Sequence, residues 1–191
     1  DFVFPSHPQL MKLAEGIRWP LTVWLMRGCG LRIEEALAVQ KSCFRDGGTV
    51  LRVFEQASRD GTRTRPLKHR KAGEYRDIPV PAYLWAVVED LPDGYLFRGT
   101  GKFPTYSSYR HMFKLQAGKA NIPAGFTPHS LRHAFVSALL SHGVPITDVA
   151  KWLGHRNINT TYATYGHLVP SSLGRALEVL NAEYAEWSRL A

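Results

Sequence analysis

Cysteine is scarce: the 191 residues hold two, Cys29 and Cys43, without the CxxC spacing of a metal knuckle or the density of a secreted disulfide scaffold. Two reduced thiols in a cytoplasmic protein are the expectation. No apolar run approaches the roughly 20 residues of a transmembrane span and no lipidation signal is visible, so a soluble protein with no membrane partner is predicted. Neither a GxxxxGK phosphate loop nor an HExxH zinc motif occurs, which leaves no sequence basis for ATP, a metal or another cofactor. Internal repeats and low-complexity segments are also lacking. One compact unit is what this length predicts.

Positive charge, by contrast, is in excess. The formal net charge is +8, with 24 Lys and Arg against 16 Asp and Glu, which points to an acidic polymer or surface as partner. The excess is concentrated. Between Arg45 and Arg76 nine basic residues face four acids; Arg59, Arg63, Arg65, Lys68 and Arg70 are the candidates for a nucleic-acid backbone track. A solvated basic face is the competing reading for any one of them. The chain begins at Asp1 rather than Met, as a piece of a longer protein would.

Leu10, Leu13 and Ile17 recur at helical spacing, and an apolar block from Leu21 to Met26 ends at Gly28 and Gly30, so the first forty residues read as helices. Arg32 follows the glycine break. From Thr49 to Val80 the pattern alternates, as in Val50, Arg52 and Phe54, until Pro79 and Pro81 stop it; one small antiparallel sheet is predicted. Beyond Ala82 the chain returns to helix, with an extended piece at Tyr95 to Phe97 and a helix from Tyr106 to Ala120. The expected class is α+β, mostly α.

The most informative stretch runs from His129 to Leu168. Thr127 suits an N-cap and Pro128 the first helical position, so His129 and Arg132 share a face beside free backbone amides that favour an anion. This is a phosphate pocket in outline. With GCGLRIEEAL upstream, the stretch supplies two arginines, two histidines and a tyrosine, a set able to hold a phosphodiester and attack it with a phenol. Taken alone, SALLSHGVPITDVAKWLGHRNINTTYATY also fits a helix-turn-helix DNA-binding module.

GLRIEEAL, a lysine in a β-hairpin, HSLRH, and LGH followed by a tyrosine closely resemble, in order, the catalytic domain of the tyrosine recombinases, the phage integrase family. The resemblance implies a mostly helical catalytic domain with a small sheet over residues 1–170, a C-terminal tail over 171–191, and an N-terminal DNA-binding domain in the full protein. It implies that Arg32 is the first catalytic arginine, with Glu35 in support. Lys71 matches the hairpin lysine, with Lys68 as the alternative. His129 and Arg132 match the HxxR pair, and His155 matches the histidine of LGH. Tyr165, ten residues after His155, is the implied nucleophile; Tyr162, seven after it, is the other candidate.

A phenol is mostly protonated at neutral pH, so attack on phosphorus needs a proton acceptor and a cationic cradle. The implied roles supply both: Arg32 and Arg132 hold the non-bridging oxygens, His155 donates to them, His129 accepts the tyrosine proton and Lys71 protonates the departing 5′ oxygen. Double-stranded DNA is then the substrate, and neither ATP nor a metal is required. A type IB topoisomerase shares this chemistry and is a further alternative. In the tail, Leu173, Leu177, Leu180, Tyr184 and Trp187 recur at helical spacing. Packing on its own domain, as a monomer, and docking on a neighbour in a DNA-bound homotetramer both fit that pattern.

Overall fold

A computed structural model describes residues 4–99 and 101–190. Three helices open the chain, α1 (His7–Gly16), α2 (Pro20–Cys29) and α3 (Ile33–Leu37), and each begins for a local chemical reason. Ser6 caps α1, its own N–H donating to Gln9 Oε1 at 2.9 Å. Proline stands at the first position of α2, where its missing N–H costs nothing. Gly30 ends α2 at φ +63°, and a Cβ there would lie 2.4 Å from the Phe135 ring; glycine alone fits. The chain then turns directly into α3, with Arg32 at its N-cap.

The alternating region forms two sheets rather than one. Strands β1 (Phe44–Arg45), β2 (Val50–Val53), β3 (Glu55–Ala57), β4 (Thr64–Pro66) and β5 (Arg76–Pro79) follow in order. β2 lies between β1 and β5 in one antiparallel sheet, with Leu51 opposite Ile78, whereas β3 and β4 pair only with each other among the described residues. The break falls at Phe54. Leu51 and Val53 face the core in alternation, but Gln56 and Ala57 are buried consecutively, because β3 turns away to pack against α3.

Helix then dominates: α4 (Ala82–Val88), α5 (Tyr106–Lys119), α6 (Pro128–Ser141), α7 (Ile146–Leu153), α8 (Ile158–Tyr165) and α9 (Leu173–Leu190). α2 and α6 pack together at the centre, where Val23, Leu25, Met26, Leu131, Val136 and Leu140 are buried. Thr127 caps α6 as expected, donating its N–H to Ser130 Oγ at 3.0 Å. Both cysteines are free thiols in the core. Among the described residues no helix is long and apolar enough to cross a membrane.

The tail is helical, and residues 171–182 are exposed on all sides, so packing on its own domain does not describe that part. The side chains of Tyr184 and Trp187 lie outside the described residues.

Candidate active site

A buried carboxylate organises the site. Glu35 is 1% exposed because α3 turns it inward, where it meets three guanidinium groups. It accepts from Arg32 Nη1 at 3.0 Å, from Arg76 Nη1 at 3.1 Å and from Arg76 Nη2 at 2.7 Å; Arg132 Nη1 stands 4.0 Å away. Burial by itself would raise its pKa. The charges of Arg76, Arg132 and Arg32 outweigh that and hold the carboxyl well below the usual range.

The same network fixes Arg132, which α6 carries into the core at 2% exposure. It donates to Gly30 O and to Leu153 O, both at 2.6 Å, so the glycine break after α2 and the end of α7 hold it from two sides. Burial and the neighbouring arginine charges push its pKa down to about 9, leaving it charged at neutral pH. Arg32 differs: a quarter of its side chain is exposed. It opens on a cavity of about 260 Å³ bounded by the starts of α3, α5 and α6, with His129 and Arg110 at its wall.

His155 follows Gly154, the left-handed cap of α7. Its Nδ1 lies 2.8 Å from the buried Thr161 hydroxyl, and Arg132 Nη2 is 3.5 Å from Nε2. A guanidinium only donates, so the ring proton belongs on Nδ1 and Nε2 is left to accept. Burial and the charges of Arg132, Arg32 and Arg76 push its pKa down to about 4, so the ring is neutral at pH 7.

Tyr165 is 5% exposed and Tyr162 is 63% exposed; they lie on different sides of α8. The Tyr165 phenol is hydrogen-bonded to His133 Nδ1, one turn beyond His129 on α6. His129 stands further out and meets His133 edge-on, with ring centroids 4.5 Å apart. Burial pushes the phenol up to about 12 against the opposing charge of Arg132.

Of the residues singled out from sequence, the structure thus brings Arg32, Glu35, His129, Arg132, His155 and Tyr165 into one cluster, of which Arg32 and His129 line the cavity. Lys71 is not in that cluster. It stands exposed on the connection between β4 and β5, its N–H donating to Glu74 Oε2 at 3.0 Å, and Lys68 is exposed on the same connection. Arg59, Arg63 and Arg65 are exposed along the β3–β4 arm and Arg70 is partly buried beyond it. Glu34 draws Arg59 and Arg65 towards the pocket, at 3.4 and 3.7 Å.

Three further residues join the cluster without a site role implied by the family resemblance: Arg76, His133 and Thr161. Arg76 had a signal, since strand alternation sets it on the same inward face as Ile78. His133 had one too, four residues after His129 on the same helical face.

The phage integrase family model matches residues 6–171. Among curated proteins, the tyrosine recombinase XerC of Brucella suis biovar 1 is 33% identical over 150 residues, which cover 74% of this chain and 44% of that protein. The tyrosine recombinase XerD of Pseudomonas aeruginosa is 32% identical over 165 residues, 83% of this chain and 52% of its own length. The chain spans about half the length of the curated relatives it matches. Among solved structures, the catalytic domain of bacteriophage HP1 integrase superposes with a TM-score of 0.64 at 22% identity, covering 93% of this chain and 95% of that one. The Tn1549 transposon integrase in complex with circular intermediate DNA gives 0.67 at 21% identity, over 99% and 67%. At these identities the superpositions speak for the fold.

Proposed function

The chain belongs to the phage integrase family, and from that membership we propose that it is the catalytic domain of a site-specific DNA recombinase that cuts and rejoins strands through a 3′-phosphotyrosyl intermediate. The observation that carries the reading is the clustering of Arg32 and Arg132 on Glu35, with His155 and the buried Tyr165 beside Arg132. Arg32 and Arg132 bind the non-bridging oxygens of the scissile phosphate, with forked donors that stabilise the charge of the pentacoordinate transition state. A phosphate held between the two arginines raises the pKa values of His129 and His155, which turns them into donors.

Tyr165 Oη then bonds to phosphorus, the P–O5′ bond breaks, and Lys71 supplies the proton to the departing oxygen once DNA draws the β4–β5 connection inwards. The phosphodiester energy stays in the phosphotyrosine. A second 5′-hydroxyl can therefore attack it in the reverse sense without ATP or a metal. The basic β3–β4 arm, with Arg59, Arg63 and Arg65, and Lys68 and Arg70 beyond it, follows the flanking backbone. On the phage integrase family reading the substrate is the DNA of a mobile element, in the cytoplasm of a bacterial host.

The direct test is covalent trapping. Intact protein is incubated with a pool of nicked suicide duplexes of randomised sequence, in excess chelator and without nucleotide. A detergent-resistant protein–DNA complex that enriches particular sequences is the expected result. No complex at all would refute the reading, and relaxation of supercoiled DNA without sequence preference would make the protein a type IB topoisomerase instead.

The exposed tail supplies the assembly contact in this reading. Leu173, Leu177 and Leu180 lie on one side of α9, exposed by 69%, 52% and 60%. An apolar groove of about 1070 Å³ runs between α1, α2, α4 and α6, walled by Leu10, Met11, Trp24, Val87 and Leu131. Ser137 Oγ, a buried hydroxyl with no hydrogen-bond partner among the described residues, is set beside it. The α9 stripe of one protomer docks in this groove of the next, a head-to-tail contact that closes into a ring of four on DNA. Truncation after Pro170 should leave a folded domain that binds DNA as a monomer. Unchanged complex size in light scattering would exclude the docking.

A further inference from the structure

We propose that His133, a residue outside the set that the family resemblance supplied, takes the proton of Tyr165 as the strand is cut and returns it as the strand is rejoined; the proposal rests on the recombinase reading above. Geometry carries it. The phenol oxygen is bonded to His133 Nδ1, the two rings pack with centroids 5.5 Å apart, and Tyr165 is nearly closed off from solvent. His129, which the sequence offered for this role, is exposed and touches the edge of the His133 ring.

The proposed role sets the tautomer. A phenol that donates to Nδ1 requires the ring hydrogen on Nε2, and a neutral ring. Burial and the charge of Arg132 lower the His133 pKa, which keeps the ring unprotonated at neutral pH and ready to accept. A phenol held near 12 does not surrender its proton to such a ring at rest. It does so as the O–P bond forms, because an oxygen that bonds to phosphorus loses its affinity for the proton. The O–H bond of Tyr165 breaks with the proton passing to Nδ1, the Oη–P bond forms, the P–O5′ bond breaks, and O5′ takes its proton from Lys71. In rejoining, each transfer reverses, and the His133 imidazolium protonates the departing phenolate.

Two variants separate this role from packing. Asparagine at position 133 can still accept the phenol hydrogen bond through its amide oxygen but cannot take the proton, whereas alanine does neither. Single-turnover formation of the covalent complex, on a nicked suicide duplex recovered from the randomised pool, should slow by about a hundredfold or more in both His133→Asn and His133→Ala, with the thermal midpoint of His133→Asn unchanged.

Replacing Tyr165 with a fluorinated tyrosine of more acidic phenol should restore most of the rate to His133→Asn, since that phenol needs no base. A 5′-bridging phosphorothiolate, whose sulfur leaves without an acid, should not restore it. Cleavage by His133→Asn at the intact rate, or rescue by the phosphorothiolate alone, would overturn the assignment while the intact protein still trapped DNA. Absence of any complex with the intact protein would instead remove the recombinase reading and this one with it.

Discussion

Tyr165→Phe should abolish the detergent-resistant protein–DNA complex, while Tyr162→Phe should form it at close to the intact yield. The two residues are three apart on α8, and their surroundings differ: Tyr162 is 63% exposed on the outer side, whereas Tyr165 is 5% exposed with its hydroxyl against His133. Of the two hydroxyls, the one at Tyr165 feels the charge of Arg132, and in the proposed reading it is the one that meets the phosphate. Phenylalanine keeps the ring that packs in the core and removes one hydrogen bond, worth about 1 kcal/mol, so the fold survives. The chemistry does not, because losing a nucleophile that acts as a unit with its base costs on the order of a millionfold. A complex that persists in Tyr165→Phe and vanishes in Tyr162→Phe would reverse the assignment.

The sequence disclosed those parts of the molecule that depend on local chemistry. Caps and breaks are local: Thr127 before Pro128, and Gly30 before Arg32, mark helix ends that the structure keeps. Where partners come from distant segments the signal is weaker. A single sheet was expected because alternation continues from β2 into β3, and periodicity says nothing about which strand each will pair with; packing against α3 decides that. Arg76 was counted with the basic patch. Yet it is 6% exposed and donates to Glu35 and to Trp152 O, so it belongs to the frame of the site and not to a DNA-facing surface. His133 was legible only as a residue on the helical face of His129, since nothing in HSLRH says which residue a tyrosine thirty-two positions later will meet. Both lysines on the β4–β5 connection are exposed, so the structure does not rank one above the other.

Glu35→Gln should cost the fold more than any other substitution at the site, by about 3–5 kcal/mol, the usual result of leaving buried charge uncompensated. Glutamine preserves the shape and removes the negative charge that Arg76 and Arg132, 6% and 2% exposed, and Arg32 now share. Against a typical total of about 5–15 kcal/mol, that loss is a large fraction of stability. The pH dependence gives the sign. The folded pKa of Glu35 is depressed, so its contribution is fully present above the unfolded carboxylate pKa of about 4.3 and fades as the pH falls towards the folded value. Urea unfolding should therefore show the widest gap between the intact protein and Glu35→Gln near pH 7, narrowing below about pH 4. Asp60 and Asp77 also have lowered pKa values, but they titrate in both proteins and cancel in the difference. Equal stability at pH 7 would show that the three guanidinium groups do not depend on this carboxylate. If they do, the charge that holds the domain together also sets the spacing of Arg32 and Arg132, the two arginines proposed to bind the phosphate, and stability and strand cleavage will fail together in this variant.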